Sequence, residues 1–301
     1  VENERYEDQN VQGLLATIPW IVAACYTPRD STVAVALSSH GNQRICLAAR
    51  SHRMLGEQEA REAIVTTGRR LYERHILASI EGNMSIRLDD DRILATPSGI
   101  NKGFMRADDL VVTDLDGKAE DNGRPSSEMP MHLAIYRERE DIEAIVHAHP
   151  TAATGYAVAG RNLPAAVLAE IVTTLGCIPI ARYGTPSTDE LAESVIDPIK
   201  SYDALLLGNH GALTAGTSLE QAEERMYQLE HFAQISLVAE LLGGPKAFSP
   251  EEVEQLSALR EKAGGRPVPP ACYPVDISQE TITLTKDELV ELVTDAVRTL
   301  R

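Results

Sequence analysis

At 301 residues the chain exceeds a typical domain of about 100–200 residues, which leaves room for one sizeable core and some appendages. A formal charge of −17, from 45 acidic and 28 basic residues, argues against a nucleic-acid surface and against adhesion to anionic membranes. Cys25, Cys46, Cys177 and Cys272 are scattered without Cys-x-x-Cys spacing, the usage expected of reduced thiols in a cytosol-like compartment. The most apolar run, residues 14–26, is broken by Pro19 and falls short of the about 20 residues that span a bilayer. Glu2, Glu4, Glu7 and Asp8 stand where a signal peptide would be basic. These features predict a soluble, cytoplasmic protein with no membrane or nucleic-acid partner.

Residues 1–53 lack a sustained helical period, and strand-like stretches at 32–37 and 45–48 flank Ser38-Ser39-His40-Gly41-Asn42 in a hairpin pattern. Met54 directly precedes a clear helix, so residues 1–53 read as an N-terminal extension, poorly ordered or upstream of the domain's original start. In residues 57–78, Ala60, Ile64, Leu71, Tyr72 and Leu77 fall near helical spacing among Glu, Arg and Gln. Short strands with turn signals follow at 82–88, 92–96 and 110–113, an antiparallel meander.

A helix over 128–139 leads into a strand over 144–149, then come a small-residue helix over 151–159 and a short strand over 178–181. A helix at 189–199, a buried-type strand at 204–207 and a long helix at 219–242 complete the domain, 54–263. The alternation predicts α/β or α+β architecture with a mostly antiparallel central sheet covered by helices. The Pro/Gly run beginning at Ala263-Gly264-Gly265 predicts an extended, poorly packed linker over 264–284. Beyond it, Thr285-Lys286-Asp287-Glu288 has capping-box form, and Leu289, Val290, Leu292, Val293, Ala296, Val297 and Leu300 make an apolar face on a helix over 285–301. That stripe needs a partner, either this domain or its oligomer, or another protein.

The chemistry starts at Ile145-Val146-His147-Ala148-His149-Pro150. On an extended chain residues i and i+2 share a face, so both imidazoles reach one ion, and Pro150 stops the ladder. His-x-His also occurs on ordinary surface strands, so the pair needs a third ligand. His210, in Gly208-Asn209-His210-Gly211 after the buried strand, supplies one, and three imidazoles leave the open position that a catalytic zinc requires. His40, His52, His75, His132 and His231 read as structural or solvated. Pro125-Ser126-Ser127-Glu128 is either plain helix capping or an anion site of hydroxyls and first-turn amides. Gly82-Asn83-Met84-Ser85 and Thr96-Pro97-Ser98-Gly99-Ile100 are two further turns of small hydrogen-bonding residues. As a set, the three loops suit a phosphate clasp without a lysine.

In their order, Gly82-Asn83 to Ser85, Thr96-Pro97-Ser98-Gly99, Ser126-Ser127-Glu128, His147-Ala148-His149 and Asn209-His210-Gly211 closely resemble the class II aldolase/adducin family, above all its fuculose-1-phosphate aldolase branch, over about residues 57–262. The resemblance implies a three-layer α/β/α fold in a ring-shaped homotetramer with sites at subunit boundaries. It implies that His147, His149 and His210 hold one zinc ion per subunit, with Glu128 as the carboxylate that caps the resting metal and then acts as acid/base. Asn83, Ser98, Gly99, Ser126 and Ser127 correspond to the phosphate clasp. The implied reaction is zinc-dependent cleavage of L-fuculose or L-rhamnulose 1-phosphate to dihydroxyacetone phosphate and L-lactaldehyde. Sugar-phosphate epimerase, dehydratase and non-catalytic adducin-like module are the alternatives within the family.

One position departs from the branch. Where a catalytic tyrosine follows the Arg-x-x-Pro turn, this chain has Leu168, with Tyr183, Tyr227 and Tyr273 as substitutes to weigh. The Pro/Gly linker and terminal helix resemble encapsulation peptides, which implies a bacterial-microcompartment shell protein as partner and the compartment lumen as a second location.

Overall fold

The computed structural model describes residues 22–25, 34–37 and 55–273. The amino-terminal unit contributes one antiparallel pair, β1 (Val22–Cys25) and β2 (Ala34–Leu37), in the register Val22 to Leu37. The strand expected near 32–37 is therefore present, but its partner precedes it in sequence. The stretch 45–48 lies outside the described residues, as does the helix expected at 285–301.

In the second unit, β3 (Asn83–Arg87), β4 (Arg92–Ala95), β5 (Val111–Asp114), β6 (Ala144–Ala148), β7 (Ile180–Ala181), β8 (Ala204–Leu207) and β9 (Gly211–Gly216) form one sheet ordered β5-β4-β3-β6-β9-β8-β7. All pairs are antiparallel except β7 with β8. Alternation along each strand sends side chains to two faces. Met84, Leu94, Val146, Leu206 and Ala212 pack on α1 (Glu57–Glu73), α3 (Thr151–Val158) and α6 (Leu219–Leu241). Ile93, Ile145, Leu205 and Leu213 pack on α2 (Met129–Glu138) and α5 (Asp189–Ile199). The fold is thus the expected α/β/α sandwich. No described helix is long and apolar enough to cross a membrane.

Local chemistry sets the helix ends. Ser218 caps α6 by accepting from the Gln221 amide, and Ser249 with Glu252 closes a capping box on α7 (Pro250–Lys262). The first helix stops earlier than its apolar spacing suggests: His75 turns left-handed at φ 59° and the Leu71 carbonyl receives the amide of Ile76.

Two expectations fail at the carboxyl-terminal side. Cys177 and Cys272 form a disulfide, although their spacing of 95 residues gave no motif to read. The Pro/Gly run is not loose as far as Tyr273. Val268 and Cys272 are buried with Val253, Val172 and Ala166, the last two beside or within α4 (Ala169–Thr174). Charge also holds this segment. Buried Asp203 lies 2.7 Å from both Arg139 and Arg266 and 3.0 Å from Arg225, with Arg260 at 3.9 Å. Arg266 further donates to the Lys200 carbonyl.

Candidate metal and phosphate site

The site lies where β6, at the centre of the sheet, runs out. His147 is fully buried and points to the α2 face, the side taken by Ile145. Its Nδ1 is 2.8 Å from the carbonyl of Ala212 on β9. A carbonyl only accepts, so Nδ1 carries a proton and Nε2 is turned to the site. His149 follows just past the strand, and Pro150 begins the turn into α3.

His210 arrives from the β8–β9 turn. Asn209 adopts φ 53°, a left-handed conformation that asparagine tolerates better than most residues, and its amide donates to the Ala157 carbonyl. Gly211 lets the turn close: a Cβ there would sit 2.5 Å from His149 Cδ2 and 2.6 Å from the Ala148 carbonyl. Gly82, at φ +72°, plays the same part below β3, where a Cβ would come 2.8 Å from the His147 carbonyl.

The three imidazoles form a near-symmetric tripod. Ring centroids are 4.9 Å apart for His147 and His149, 4.8 Å for His147 and His210, and 5.0 Å for His149 and His210. Interplanar angles are 67°, 64° and 65°. One nitrogen from each ring falls within 4.8 Å of the others, and the facing Nε2 atoms of His147 and His149 are 3.2 Å apart. Glu128, the residue before α2, closes the group: its Oε2 is 3.3 Å from His147 Nε2 and its Oε1 is 3.1 Å from His210 Nε2.

Burial alone would raise the Glu128 carboxyl, but hydrogen bonds from His147 and His210 outweigh it and hold the group well below the usual carboxylate range. Burial, reinforced by the neighbouring His147 and His210, lowers His149 to about 4. Three imidazoles beside a carboxylate are a donor set that fits a divalent cation.

The five residues expected in a phosphate clasp come from the first position of β3 and from two segments that pair with each other. Asn83 faces His147 across the β3–β6 ladder and donates through Nδ2 to Glu128 Oε2 at 2.6 Å. The loop carrying Ser98 and Gly99 runs antiparallel to the segment before α2: Ser98 N donates to the Arg124 carbonyl, Ser126 N to the Thr96 carbonyl, and Pro97 bridges Pro125. Ser126 accepts from the Glu128 amide, and exposed Ser127 accepts from Ser187 at 2.8 Å.

Lys102 escaped the sequence reading. It lies three residues past Gly99, is almost wholly buried, and donates to the Ile80 carbonyl ahead of Gly82-Asn83. The signal was its place in the same loop as Ser98 and Gly99.

The remaining candidates fall elsewhere. His132 is core, with Nδ1 2.7 Å from Ser85 Oγ, and burial lowers it to about 3. His75 and His231 are exposed, while His40 and His52 lie outside the described residues. Tyr227 donates to Glu223, Tyr273 packs beside Cys272, and Tyr183 is largely exposed. Leu168 precedes α4 and is half-buried in the core on the α3 and α6 side.

A family model described as Class II Aldolase and Adducin N-terminal domain matches residues 62–237. The chain is 33% identical over 211 residues to a 5-deoxy-D-ribulose 1-phosphate aldolase of Bacillus thuringiensis serovar kurstaki, covering 69% of this chain and 98% of that protein. It is 33% identical over 186 residues to a 3-oxo-tetronate 4-phosphate decarboxylase of Pectobacterium atrosepticum, covering 60% of this chain and 85% of that one. Among solved structures, an L-fuculose 1-phosphate aldolase aligns with a TM-score of 0.65 at 32% identity, over 70% of this chain and 99% of the other.

Proposed function

The chain belongs to the class II aldolase and adducin family, and on that premise we propose that it is a zinc-dependent lyase cleaving a deoxyketose 1-phosphate, such as L-fuculose or L-rhamnulose 1-phosphate, to dihydroxyacetone phosphate and L-lactaldehyde. The observation that carries this reading is the tripod of His147, His149 and His210 with Glu128 on two of its inner nitrogens. Three imidazoles and an exchangeable carboxylate suit zinc and leave a place for substrate oxygens. A bound cation would supply Lewis acidity to the ketone, drawing in the electrons of the breaking carbon–carbon bond.

The protein groups do the rest. Asn83, Ser98, Gly99, Ser126 and Ser127 hold the phosphate end and so fix which carbon meets Glu128. Glu128, displaced from the imidazoles by substrate, takes up a proton from water and delivers it to the carbon that the departing aldehyde leaves behind. His147 is oriented by the Ala212 carbonyl, which accepts from its Nδ1 and leaves Nε2 facing the site. Assembly as a homotetramer with one zinc per subunit belongs to this reading. Delivery to a microcompartment shell is proposed from residues 285–301 alone.

Leu168 favours a second reading. Aldol cleavage must take a proton from the hydroxyl that becomes the aldehyde, and leucine has no group for that. Decarboxylation of a 3-oxo acid phosphate needs no such step, because the carboxylate leaves as carbon dioxide while the electrons enter the same ketone and Glu128 protonates the same carbon. Similarity to a protein named as such a decarboxylase supports this reading too. The zinc-loaded protein, assayed in parallel for dihydroxyacetone phosphate from the two sugars and for carbon dioxide from 3-oxo-tetronate 4-phosphate, separates them. Carbon dioxide from the oxo acid, with no dihydroxyacetone phosphate from either sugar, would overturn the aldolase in favour of the decarboxylase. Epimerised sugar with neither product would overturn both.

A further inference from the structure

The mechanism above leaves Lys102 without a task. Its residue is 2% exposed, and among the described residues only one of the three donors on its ammonium is spent, on the Ile80 carbonyl. Glu81 and Glu128 act on it through space and pull against the burial that lowers its pKa. Neither forms an ion pair with it: Glu81 commits Oε1 to the amides of Ala78 and Ser79, and Glu128 faces the imidazoles. A buried ammonium without a bonded counter-charge is expensive, and its retention calls for an anion that comes and goes.

The location says which anion. The ammonium donates to the Ile80 carbonyl, two residues before Gly82-Asn83, and Lys102 itself follows Gly99 by three residues. It thus joins two of the clasp's segments, and the carboxylate of Glu128, which follows Ser126-Ser127, acts on it through space. Uncharged hydroxyls and amides alone would meet a phosphate dianion with no full positive charge nearby. A lysine on a four-carbon stem acts as a point charge free to swing from a carbonyl to a phosphate oxygen.

We infer that Lys102 is the cation of the phosphate clasp, binding the dianionic phosphate ester of the substrate through the donors it does not spend on Ile80. The inference rests on the clasp reading given above and adds its missing charge, selecting phosphorylated over free sugars.

The test measures inorganic phosphate binding to the zinc-loaded protein by calorimetry, in wild type, Lys102→Met and Lys102→Gln. Glutamine keeps a donor for the Ile80 carbonyl but no charge. Both variants should bind phosphate about 10- to 100-fold more weakly, the scale of a lost charge-assisted hydrogen bond, with zinc content unchanged. Wild-type affinity in Lys102→Gln would mean that the side chain only props the Ile80 loop, which overturns the inference while leaving the clasp intact. No phosphate binding by wild type would overturn the clasp, and the inference with it. Should both variants fail to fold, a crystal of the wild-type protein soaked in phosphate decides. An oxygen within about 3 Å of Lys102 Nζ is expected, and a phosphate held by the serines with Lys102 still turned to Ile80 and out of reach would overturn the claim.

Discussion

Replacing Gly211 with alanine tests how the backbone makes the tripod. The added methyl would lie 2.5 Å from His149 Cδ2, 2.6 Å from the Ala148 carbonyl oxygen and 3.3 Å from His147 Cε1. Ala148 cannot yield, because it is paired with Ala212 in the β6–β9 ladder at the middle of the sheet. The turn at residue 211 must therefore shift off that carbonyl, and the imidazole of His149 must move by about 1 Å to reach an ordinary carbon contact of about 3.5 Å. Ligand distances in metal sites hold to within about 0.2 Å, so a shift of that size removes His149 as an effective ligand. Global stability should fall by about 1–3 kcal/mol, the usual cost of overpacking. Zinc affinity should fall by at least about 10- to 100-fold, as for a mispositioned ligand. Competition with a chromogenic chelator measures the second quantity and urea unfolding of the metal-free protein the first. An alanine variant that is normally folded and holds zinc within about threefold of wild type would refute the reasoning.

Other substitutions separate the roles of the neighbouring groups. His149→Ala should lose both zinc and turnover, whereas Glu128→Gln should keep zinc and lose at least about 100-fold in kcat, as expected for a removed acid/base; equal metal loss in both would reassign Glu128 as a structural ligand. Asp203→Asn leaves the guanidiniums of Arg139, Arg225, Arg260 and Arg266 around a neutral amide, and should cost about 3–5 kcal/mol in urea unfolding; a change under about 1 kcal/mol would show that the carbonyls they also contact suffice. His132 is held neutral in the fold down to about 3, against an ordinary value of 6.5. Its contribution to stability is therefore complete above pH 6.5 and lost as pH falls from there toward 3, because the unfolded chain takes up the proton first. Metal-free His132→Gln should lose less stability than wild type between pH 7 and pH 5, and an unchanged slope would contradict this.

The grouping of the candidate site residues was legible where it is carried by short-range patterns. His147 and His149 show their shared face in sequence because strand periodicity is local, and Glu128 is marked by the serines that precede α2. His210 needed only the glycines around it. What stayed hidden depends on long-range contact. The strand β9, Gly-Ala-Leu-Thr-Ala-Gly, has little β propensity and is a strand because β6 and β8 flank it. Lys102 looks like any loop lysine until the loop before β3 folds over it. The pairing of Cys177 with Cys272 and the anchoring of Arg266 on Asp203 join distant segments, so no spacing rule announces them. The helix α7 was missed although its capping box, Ser249-Pro250-Glu251-Glu252, is explicit.

The claim that His147, His149, His210 and Glu128 form a catalytic metal centre is tested most directly by titrating metal-free protein with zinc while following product release from the phosphorylated substrate. Turnover should rise in step with bound zinc and stop rising at one ion per chain. Full occupancy of the site without turnover on the sugar phosphates or the 3-oxo acid phosphate, or undiminished turnover after chelation, would contradict it.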